Sequence, residues 1–343
     1  MLTRQALEPR FASSRVRVLV EVSGEHPTLP RAEVLAALEA ERADLRSVAW
    51  TSKLVTIDAT GPVERATRRL GLAHLVSEEL VRGDFRDIRD FVKGMDLVGA
   101  SFRVRARGLD VDVDAPSLEG SLGADMGRTG KVDLESPRVD LRLLVGDEFV
   151  LGRVVHRVPR RDLEATKVAH RPFSRPISLH PKFARALVNL SRVPTGGTVL
   201  DPFCGTGGIL LEAHRIGLRG IGADAEQRMV RGARTSLHAL HATADLVVAD
   251  AGRGPWSPGT LDGIATDPPY GRAASTRGEP IDALYDRAFA SFADVLARGR
   301  HLAAVLPNEN TVHLGEKYLE LVEAHALRVH RSLTRTFCAF RRR

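Results

Sequence analysis

Four short apolar runs in the C-terminal half of the chain each end in an aspartate. The runs are TVLD, GIGAD, LVVAD and GIATD, and they end at Asp201, Asp224, Asp250 and Asp267. Helix-like segments separate them, and strands that alternate with helices form a parallel sheet. Because the carboxyl ends of parallel strands meet at one edge, the sequence predicts a doubly wound α/β sheet with four carboxylates along that edge.

A glycine-rich turn, DPFCGTGG, follows the first of these strands at residues 201–208 and precedes a helix-like run. Glycines let the backbone approach a ligand, and the amides at a helix start favour its carboxylate or phosphate. The turn lacks the GK[ST] of a P-loop and misses the GxGxxG spacing of dinucleotide sites. Asp201 would repel a pyrophosphate but could accept hydrogen bonds from an ammonium group, which favours an amino-acid-like ligand.

The acids at the ends of the next two strands predict further groups of this ligand. Asp224 is placed to accept both ribose hydroxyls of an adenosine, and Asp250 to accept from the adenine amine. One acid of this kind is usually a helix N-cap, but four around a glycine turn are not explained by capping alone. An amino-acid end, a ribose and an adenine together predict S-adenosylmethionine as the ligand.

The fourth strand opens the motif ATDPPYGRA, residues 265–273. Prolines rarely continue a strand, so the motif specifies something other than sheet pairing. The Asp267 carboxylate and the Pro268 carbonyl could accept from an exocyclic amine while Tyr270 stacks on a base, and Pro269 prevents further ladder pairing. The sequence predicts methyl transfer to the exocyclic amine of a base. That base must leave its stack for the amine to reach Asp267.

Two α+β patterns precede this half of the chain, in residues 1–62 and 63–157, and a basic, proline-containing linker over 158–185 leads to the alternating segment 186–343. Residues 156–192 carry nine basic and two acidic side chains, and the last sixteen residues carry six arginines and no acid. Charge concentrated in a connector and a tail suits a phosphate backbone. The alternative is a solvated arginine-rich surface, since the chain has far more arginine than lysine.

Cysteine usage and hydropathy exclude several classes. The chain has 2 cysteines, Cys204 and Cys338, which cannot form a disulfide framework or, without a further Cys or His cluster, a zinc site. It has neither a signal-peptide pattern nor a stretch of about 18 apolar residues. We therefore expect a cytoplasmic protein with no membrane association and no bound metal.

Several longer strings resemble one family of RNA-modifying enzymes. DPFCGTGGILLEA, GADAEQRMVRGARTSL and TDPPYGRAAST, together with the connector RPFSRPISLHPKFARALVNLS, look like the THUMP-containing tRNA guanine-N2 methyltransferases that modify the guanosine at position 10. SFRVRARG and GKVDLESPRVDLRLLVGDEFVLG look like a THUMP domain. The resemblance implies a Rossmann-like, seven-stranded class I methyltransferase sheet after an N-terminal ferredoxin-like unit and a THUMP RNA-binding domain.

Site residues follow from this resemblance and from the motifs. The residues expected to bind the cofactor S-adenosylmethionine are Asp201, Cys204, Gly205, Thr206, Gly207, Asp224, Ala225, Asp250 and Ala251. Those expected to act on the base are Asp267, Pro268, Pro269 and Tyr270. The candidates for contact with tRNA are Arg103, Arg105, Lys131, Arg171, Arg175 and Lys182.

Other functions stay open from the sequence. The same amine chemistry serves a guanine-N2 methyltransferase for another tRNA or ribosomal RNA site, and a DNA amino-methyltransferase. A non-catalytic RNA-binding module would be expected to lose one of the strand-end acids. The sequence leaves open whether one or two methyl groups are added, and whether a small zinc-binding activator subunit is a partner.

Overall fold

The computed structural model describes residues 15–97, 99–167, 171–174, 178–269, 279–330 and 333–343. These residues form two compact units. Among the described residues, the first unit contains those from 15 to 25, 43 to 64 and 73 to 158, and the second contains those from 26 to 42, 65 to 72 and 159 onwards. No helix in the described part of the chain is long and apolar enough to span a membrane.

The N-terminal half alternates strands with short helices. In chain order its elements are β1 (Val16–Val22), α1 (Leu29–Ala40), β2 (Asp44–Trp50), β3 (Leu54–Thr60), α2 (Val63–Arg68), β4 (Ala73–Gly83), α3 (Phe85–Lys93), β5 (Ser101–Gly108), α4 (Ala115–Met126), β6 (Lys131–Val132), β7 (Val139–Val145) and β8 (Phe149–Arg157).

The first unit is built on one mixed sheet with the strand order β2-β3-β1-β4-β8-β7-β5-β6. Strand β5 runs parallel to β6 and β7, and the other neighbours are antiparallel. Ile88 of α3 and Leu122 of α4 are fully buried and share a core with Phe102 and Leu141 of the sheet. Helix α3 begins at a capping box in which Asp84 accepts from the Asp87 amide and Asp87 accepts from the Asp84 amide. The sequence predicts two α+β units in this part of the chain, and in the structure the strands of both belong to this one sheet.

The C-terminal half alternates strand and helix except between its third and fourth strands, where the sequence predicts a helix-like segment and the structure has a loop, and it ends in two adjacent strands. Its elements are α5 (Arg160–Ala165), α6 (Pro181–Leu190), β9 (Thr198–Asp201), α7 (Gly208–Arg215), β10 (Arg219–Asp224), α8 (Gln227–Ala239), β11 (Asp245–Val248), β12 (Leu261–Thr266), α9 (Ile281–Val295), β13 (Leu296–Leu306), α10 (Glu309–Glu316), β14 (Glu320–His330) and β15 (Leu333–Arg341).

The second unit contains a sheet with the order β11-β10-β9-β12-β13-β15-β14. Strands β9 to β13 pair in parallel, while β15 is antiparallel to both β13 and β14. Strand β9 lies between β10 and β12 and is buried on both faces, as expected for the centre of a parallel sheet. The seven-stranded Rossmann-like sheet predicted for this half is confirmed.

Helix α1 comes from the N-terminal half of the chain but belongs to the second unit. Leu29 and Ala36 share a core with Leu187 of α6. The fully buried Glu33 accepts from the amides of Gly71 and Leu72 and from the Asn189 amide group. Burial raises the pKa of Glu33, and these three bonds oppose that effect. The carboxylate therefore fixes α1 and the segment before β4 to α6.

The third and fourth strands of the C-terminal half end before the acids that the sequence places at their ends. The third C-terminal strand ends at Val248 and not at Asp250, and the fourth ends at Thr266, so Asp250 and Asp267 are in the loops that follow. The domain boundaries at 62/63, 157/158 and 185/186 stay predictions. Residues 16–60 and 73–157 contribute strands to the same sheet of the first unit.

Replacement of Asn189 by leucine, which is of similar size, is expected to lower the free energy of unfolding of the second unit by about 2–4 kcal/mol. Asn189 is 0 % exposed and also accepts from Arg69 at 3.0 Å, so leucine removes one hydrogen bond from each of the buried charged groups Glu33 and Arg69. Denaturant unfolding followed by circular dichroism measures the change. Asn310→Leu, at an exposed position of α10, is the matched control and should change stability by less than about 0.5 kcal/mol. Equal effects of the two variants would contradict this role for Asn189.

Candidate active site

Asp201 is the last residue of β9 and lies at the centre of the carboxyl edge of the sheet. It is 1 % exposed, and its Oδ1 accepts from the Thr266 hydroxyl at 2.8 Å and from the Phe203 amide at 3.2 Å. Burial raises the pKa of Asp201 to about 7, and the nearby charges of Asp267 and Asp224 act in the same direction. A carboxylate held against this burial is favoured by a cationic ligand.

The glycine turn after β9 has the backbone that the sequence predicts. Gly205 and Gly207 have φ values of 50° and 82°, in the left-handed region that glycine adopts most easily. Gly207 is the N-cap of α7. Thr206 is buried, and its hydroxyl lies 3.4 Å from the Ser178 hydroxyl. The turn thus brings backbone and small side chains, rather than long ones, towards the edge of the sheet.

Cys204 lies inside this turn but its side chain packs into the protein. The thiol is 4 % exposed and shares a core with Leu210, Leu211 and Leu237. Burial raises the pKa of Cys204 well above its usual range, so the thiol stays protonated. The thiol is therefore packed and non-nucleophilic, and only the backbone of Cys204 is left to contact a ligand.

Asp224 ends β10 and is fixed by two backbone amides. Its Oδ2 accepts from the Gly205 amide at 3.1 Å and its Oδ1 from the Glu226 amide at 2.8 Å, while the next residue, Ala225, is half-buried. These bonds connect the strand-end acid to the glycine turn. The second-strand acid and the turn therefore form one structure, as a ligand that contacts both requires.

Asp250 follows β11 and its carboxylate is engaged by an arginine. Arg287 of α9 donates from Nη1 to Oδ1 and from Nη2 to Oδ2, the second bond at 2.9 Å, and the Gly252 amide donates to Oδ1 at 2.9 Å. The Arg287 bond is the largest cause that lowers the pKa of Asp250. The neighbouring Ala251 is buried in the core. Asp250 is thus anionic and rigidly oriented.

Asp267 follows β12 directly and lies close to an arginine from the last strand. Its Oδ2 lies 3.6 Å from Nη1 of Arg335 of β15, and both side chains are largely buried. Pro268 is buried and Pro269 is half-buried. The hydroxyl of Tyr285, on α9, donates to the Pro269 carbonyl at 3.1 Å. Tyr270 itself lies outside the described residues.

One hydrogen bond connects the two halves of this site. Thr266, whose hydroxyl donates to Asp201, immediately precedes Asp267 in the chain. The acid at the end of β9 and the acid after β12 are therefore held next to each other at the edge of the same sheet. The described residues contain no group of three metal-ligating side chains that could hold an ion.

The RNA-binding candidates of the first unit differ in how free they are. Arg103 donates to both oxygens of Asp140, at 3.1 and 2.6 Å, and Arg105 pairs with Glu119 at 2.8 Å. Lys131 is exposed. Lys131 is thus directly available to a phosphate. A phosphate that binds Arg103 or Arg105 would have to compete with the carboxylate that each arginine already contacts.

The candidates in the connector also differ. Lys182 is half-buried and its Nζ lies 5.1 Å from the centroid of the Phe183 ring. Arg175 lies outside the described residues. Arg171 is only 6 % exposed and lies against the first residue of α7, Gly208. Its contact with a tRNA phosphate stays a prediction, and the structure leaves little of its guanidinium on the surface for such a contact.

Sequence reasoning missed three residues of this site, namely Arg287, Arg335 and Tyr285. Arg287 and Tyr285 lie on a helix, and Arg335 on a strand, that follow the motif acids along the chain. No local motif marks them, because each reaches the site through the packing of its element against the sheet. Only the spatial neighbourhood of Asp250, Asp267 and Pro269 identifies them.

Comparison with known proteins places the chain among RNA methyltransferases. The model of an RMKL-like methyltransferase domain matches residues 169–337. A tRNA (guanine(10)-N2)-dimethyltransferase of Methanothermobacter thermautotrophicus is 38% identical over 328 residues, which is 93% of this chain and 98% of the relative. The chain belongs to the family of tRNA (guanine(10)-N2)-dimethyltransferases.

A second relative agrees with this membership, and a solved structure shares the fold. The tRNA (guanine(10)-N2)-dimethyltransferase of Pyrococcus abyssi is 34% identical over 93% of this chain and 97% of its own length. The crystal structure of TrmN from Thermus thermophilus shares the fold, with a TM-score of 0.52 and 24% identity over 95% of this chain and 99% of that chain. The protein is a methyltransferase, and S-adenosylmethionine is its cofactor.

The residues of this methyltransferase fit that cofactor. The buried Asp201 suits the ammonium group, the glycine turn leaves room for the methionine moiety, and Asp224 is held at the distance of one strand from them. When bound, the cofactor supplies an electrophilic methyl group on a sulfonium. The chain supplies acceptors for its cationic end and a second acid, Asp267, beside them.

The affinity for S-adenosylhomocysteine, which carries the same amino-acid end as the cofactor, is expected to fall about tenfold between pH 8 and pH 6. The pKa of Asp201 is raised to about 7, so acid converts the ammonium acceptor to a neutral carboxylic acid. Isothermal titration calorimetry across this range measures the effect. Asp201→Asn, which keeps the acceptor Oδ1, should bind weakly with no comparable pH dependence.

The same substitution has a second expected effect, on the protein without ligand. The raised pKa means that folded protein holds a proton that the unfolded chain has lost between about pH 4 and pH 7, so stability falls as pH rises through this window. Asp201→Asn should therefore be more stable than the wild type at pH 8, by on the order of a few kcal/mol, and nearly equal to it at pH 4. A variant that is less stable at both pH values would contradict this account of the buried acid.

Proposed function

We propose that this methyltransferase transfers the methyl group of S-adenosylmethionine to N2 of the guanosine at position 10 of tRNA. The observation that carries this proposal is the bond from Thr266 to Asp201, which holds the acceptor of the methyl donor next to Asp267. The relatives from two organisms act, by their names, on this nucleotide. Their description as dimethyltransferases favours two successive transfers, and a tRNA substrate favours a cytoplasmic location.

The chemistry requires the base amine to be activated. The lone pair of the guanine N2 amine is delocalised into the ring, so the amine is a poor nucleophile. Acceptors aimed at its two protons localise that pair, and the Asp267 carboxylate and the Pro268 carbonyl supply them. Transfer then proceeds in line because donor and acceptor are held in place, and Asp267 can take the proton that N2 loses.

Two side chains prepare this arrangement. Arg335, 3.6 Å from the Asp267 carboxylate, orients it from the side of the last strand. Tyr285 is 3 % exposed and its hydroxyl fixes the Pro269 carbonyl. The bond does not use the Pro268 carbonyl, which can therefore accept from the base amine. Both act through the motif and not on the base, and are therefore positioning residues.

The decisive experiment incubates the purified chain with labelled S-adenosylmethionine and either tRNA, ribosomal RNA or DNA, then identifies the modified nucleoside. We expect N2-methylguanosine, followed by N2,N2-dimethylguanosine, in a tRNA transcript, and no label when guanosine 10 is replaced by adenosine. Label in DNA or on another base would overturn the proposed substrate. Activity of the chain alone would show that a zinc-binding activator subunit is not required.

Asp267→Asn is expected to lower the single-turnover rate of tRNA methylation at least about a hundredfold, because the amide loses the negative acceptor. The affinity for S-adenosylhomocysteine, measured by calorimetry, should change by less than about threefold, since the cofactor acids are intact. Asp282→Asn, at an exposed position of α9, is the control and should leave both quantities unchanged. A normal methylation rate in Asp267→Asn would refute the proposed role of the carboxylate.

Tyr285→Phe is expected to lower the single-turnover rate about three- to tenfold at saturating tRNA and cofactor, which is the effect of one lost neutral hydrogen bond to the Pro269 carbonyl. Cofactor affinity should not change. The matched control is Tyr318→Phe, which removes a hydroxyl that donates to Asp286 at 3.0 Å and not to a residue of the motif. If both variants lose activity equally, Tyr285 has no specific role in positioning the motif.

A further inference from the structure

Arg171 is a buried cation that lacks partners for most of its guanidinium group. Its Nε donates to the Thr166 carbonyl at 2.9 Å, but Nη1 and Nη2 are buried and have no hydrogen-bond partner among the residues that the structure describes. Burial lowers the pKa of this guanidinium, as expected for a charge with too little compensation. Buried charged groups without hydrogen bonds are costly, and natural proteins rarely keep them without a purpose.

The guanidinium also lies at an unfavourable end of a helix. An added Cβ at Gly208, the first residue of α7, would lie 2.8 Å from Nη1 of Arg171, so the cation lies directly against the N-terminal turn. The helix dipole is positive there and repels a cation while it attracts an anion. The amides of the turn and the guanidinium thus present positive charge to the same place.

Neighbouring charges do not restore the balance. Glu212, one turn along α7, is fully buried, but its Oε2 accepts from Arg185 at 2.6 Å and its Oε1 from Arg215 at 3.1 Å. Three arginines, including Arg171, therefore surround one carboxylate that two of them already occupy. Of the three, Arg171 is the one whose Nη1 and Nη2 are buried without a partner among the described residues, and an anion would complete its hydrogen bonds.

The cofactor has such an anion at the right end. The turn that contains Gly205 and Gly207 leads into α7 at Gly208, and it is where the methionine moiety is expected. We propose that Arg171 binds the α-carboxylate of S-adenosylmethionine. The Asp201 carboxylate then binds the ammonium group of the cofactor, and the Arg171 guanidinium binds its carboxylate. The buried position of the guanidinium favours this small planar group over a phosphate of the RNA backbone.

The proposal rests on S-adenosylmethionine as the cofactor and is tested by removing the carboxylate from ligand and the cation from protein in turn. The ligands are S-adenosylmethionine and decarboxylated S-adenosylmethionine, and the readout is the dissociation constant from calorimetry without RNA. We expect the wild type to prefer the carboxylated ligand on the order of ten- to a hundredfold, the range of hydrogen bonds to a charged group. Arg171→Met should bind both ligands equally, within about threefold, with unchanged affinity for the decarboxylated one.

The control variant is Arg215→Met, which removes a cation of the same cluster that already has partners in Glu212 and Thr166. It should keep the preference of the wild type. Thermal unfolding without ligand is a second readout: Arg171→Met should not lower the melting temperature, because a buried and poorly paired charge is removed, whereas the rise in melting temperature on adding S-adenosylmethionine should shrink.

The outcomes separate the alternatives. A preference for the carboxylated ligand that survives in Arg171→Met, or an equal loss of affinity for both ligands, would overturn the role of Arg171 and leave the cofactor assignment intact. A wild type that binds neither ligand would overturn the cofactor assignment as well. Loss of tRNA affinity in Arg171→Met, with the ligand preference retained, would identify an RNA phosphate as the missing anion instead.

Discussion

The parallel pairing of β9 with β10 and β12 is the constraint on which the rest of the site depends. Because these three strands run in the same direction, the chain leaves each of them at the same edge of the sheet. Three acids from separate parts of the sequence, Asp201, Asp224 and Asp267, therefore lie at the same edge, and the strand pairing alone is enough to bring them there. The Thr266 to Asp201 bond then fixes the one contact between strands that the chemistry needs.

The site contains ionisable side chains at positions where burial disfavours their charged forms. The pKa of Asp201 is raised to about 7 by burial, and that of Arg171 is lowered for the same reason. By contrast, Glu41 accepts from Arg69 and from Thr195, and its pKa is lowered despite burial. Hydrogen bonds thus outweigh burial at Glu41, whereas burial outweighs them at Asp201 and Arg171 beside the cofactor turn. Incomplete compensation in the free protein is what a zwitterionic ligand can restore on binding.

The sequence predicts most of the framework of the site but little of its second layer. The strand-end acids and the glycine turn are local patterns, in which strand, turn and helix follow one another within about twenty residues, and periodicity reveals them. Arg335 comes from β15, whose place beside β13 depends on the pairing of the last strands. Helix α1 lies in the second unit because Glu33 finds its partners in residues far along the chain, which no local pattern encodes. Arg171 shows the opposite case, since a basic connector predicts surface charge and the structure buries it.

The strand-end acid Asp250 shows how such remote partners refine a local prediction. A carboxylate has about four acceptor positions, and Arg287 with the Gly252 amide uses three of them. In the proposed complex the adenine amine therefore has one acceptor position left, on Oδ2, in an orientation that Arg287 sets. The same guanidinium donates to Glu279 at 2.8 Å, just beyond the residues that follow the Asp-Pro-Pro-Tyr motif. One arginine thus joins the expected adenine pocket to the segment that leads away from the expected base pocket, so the geometry of the two pockets is not independent.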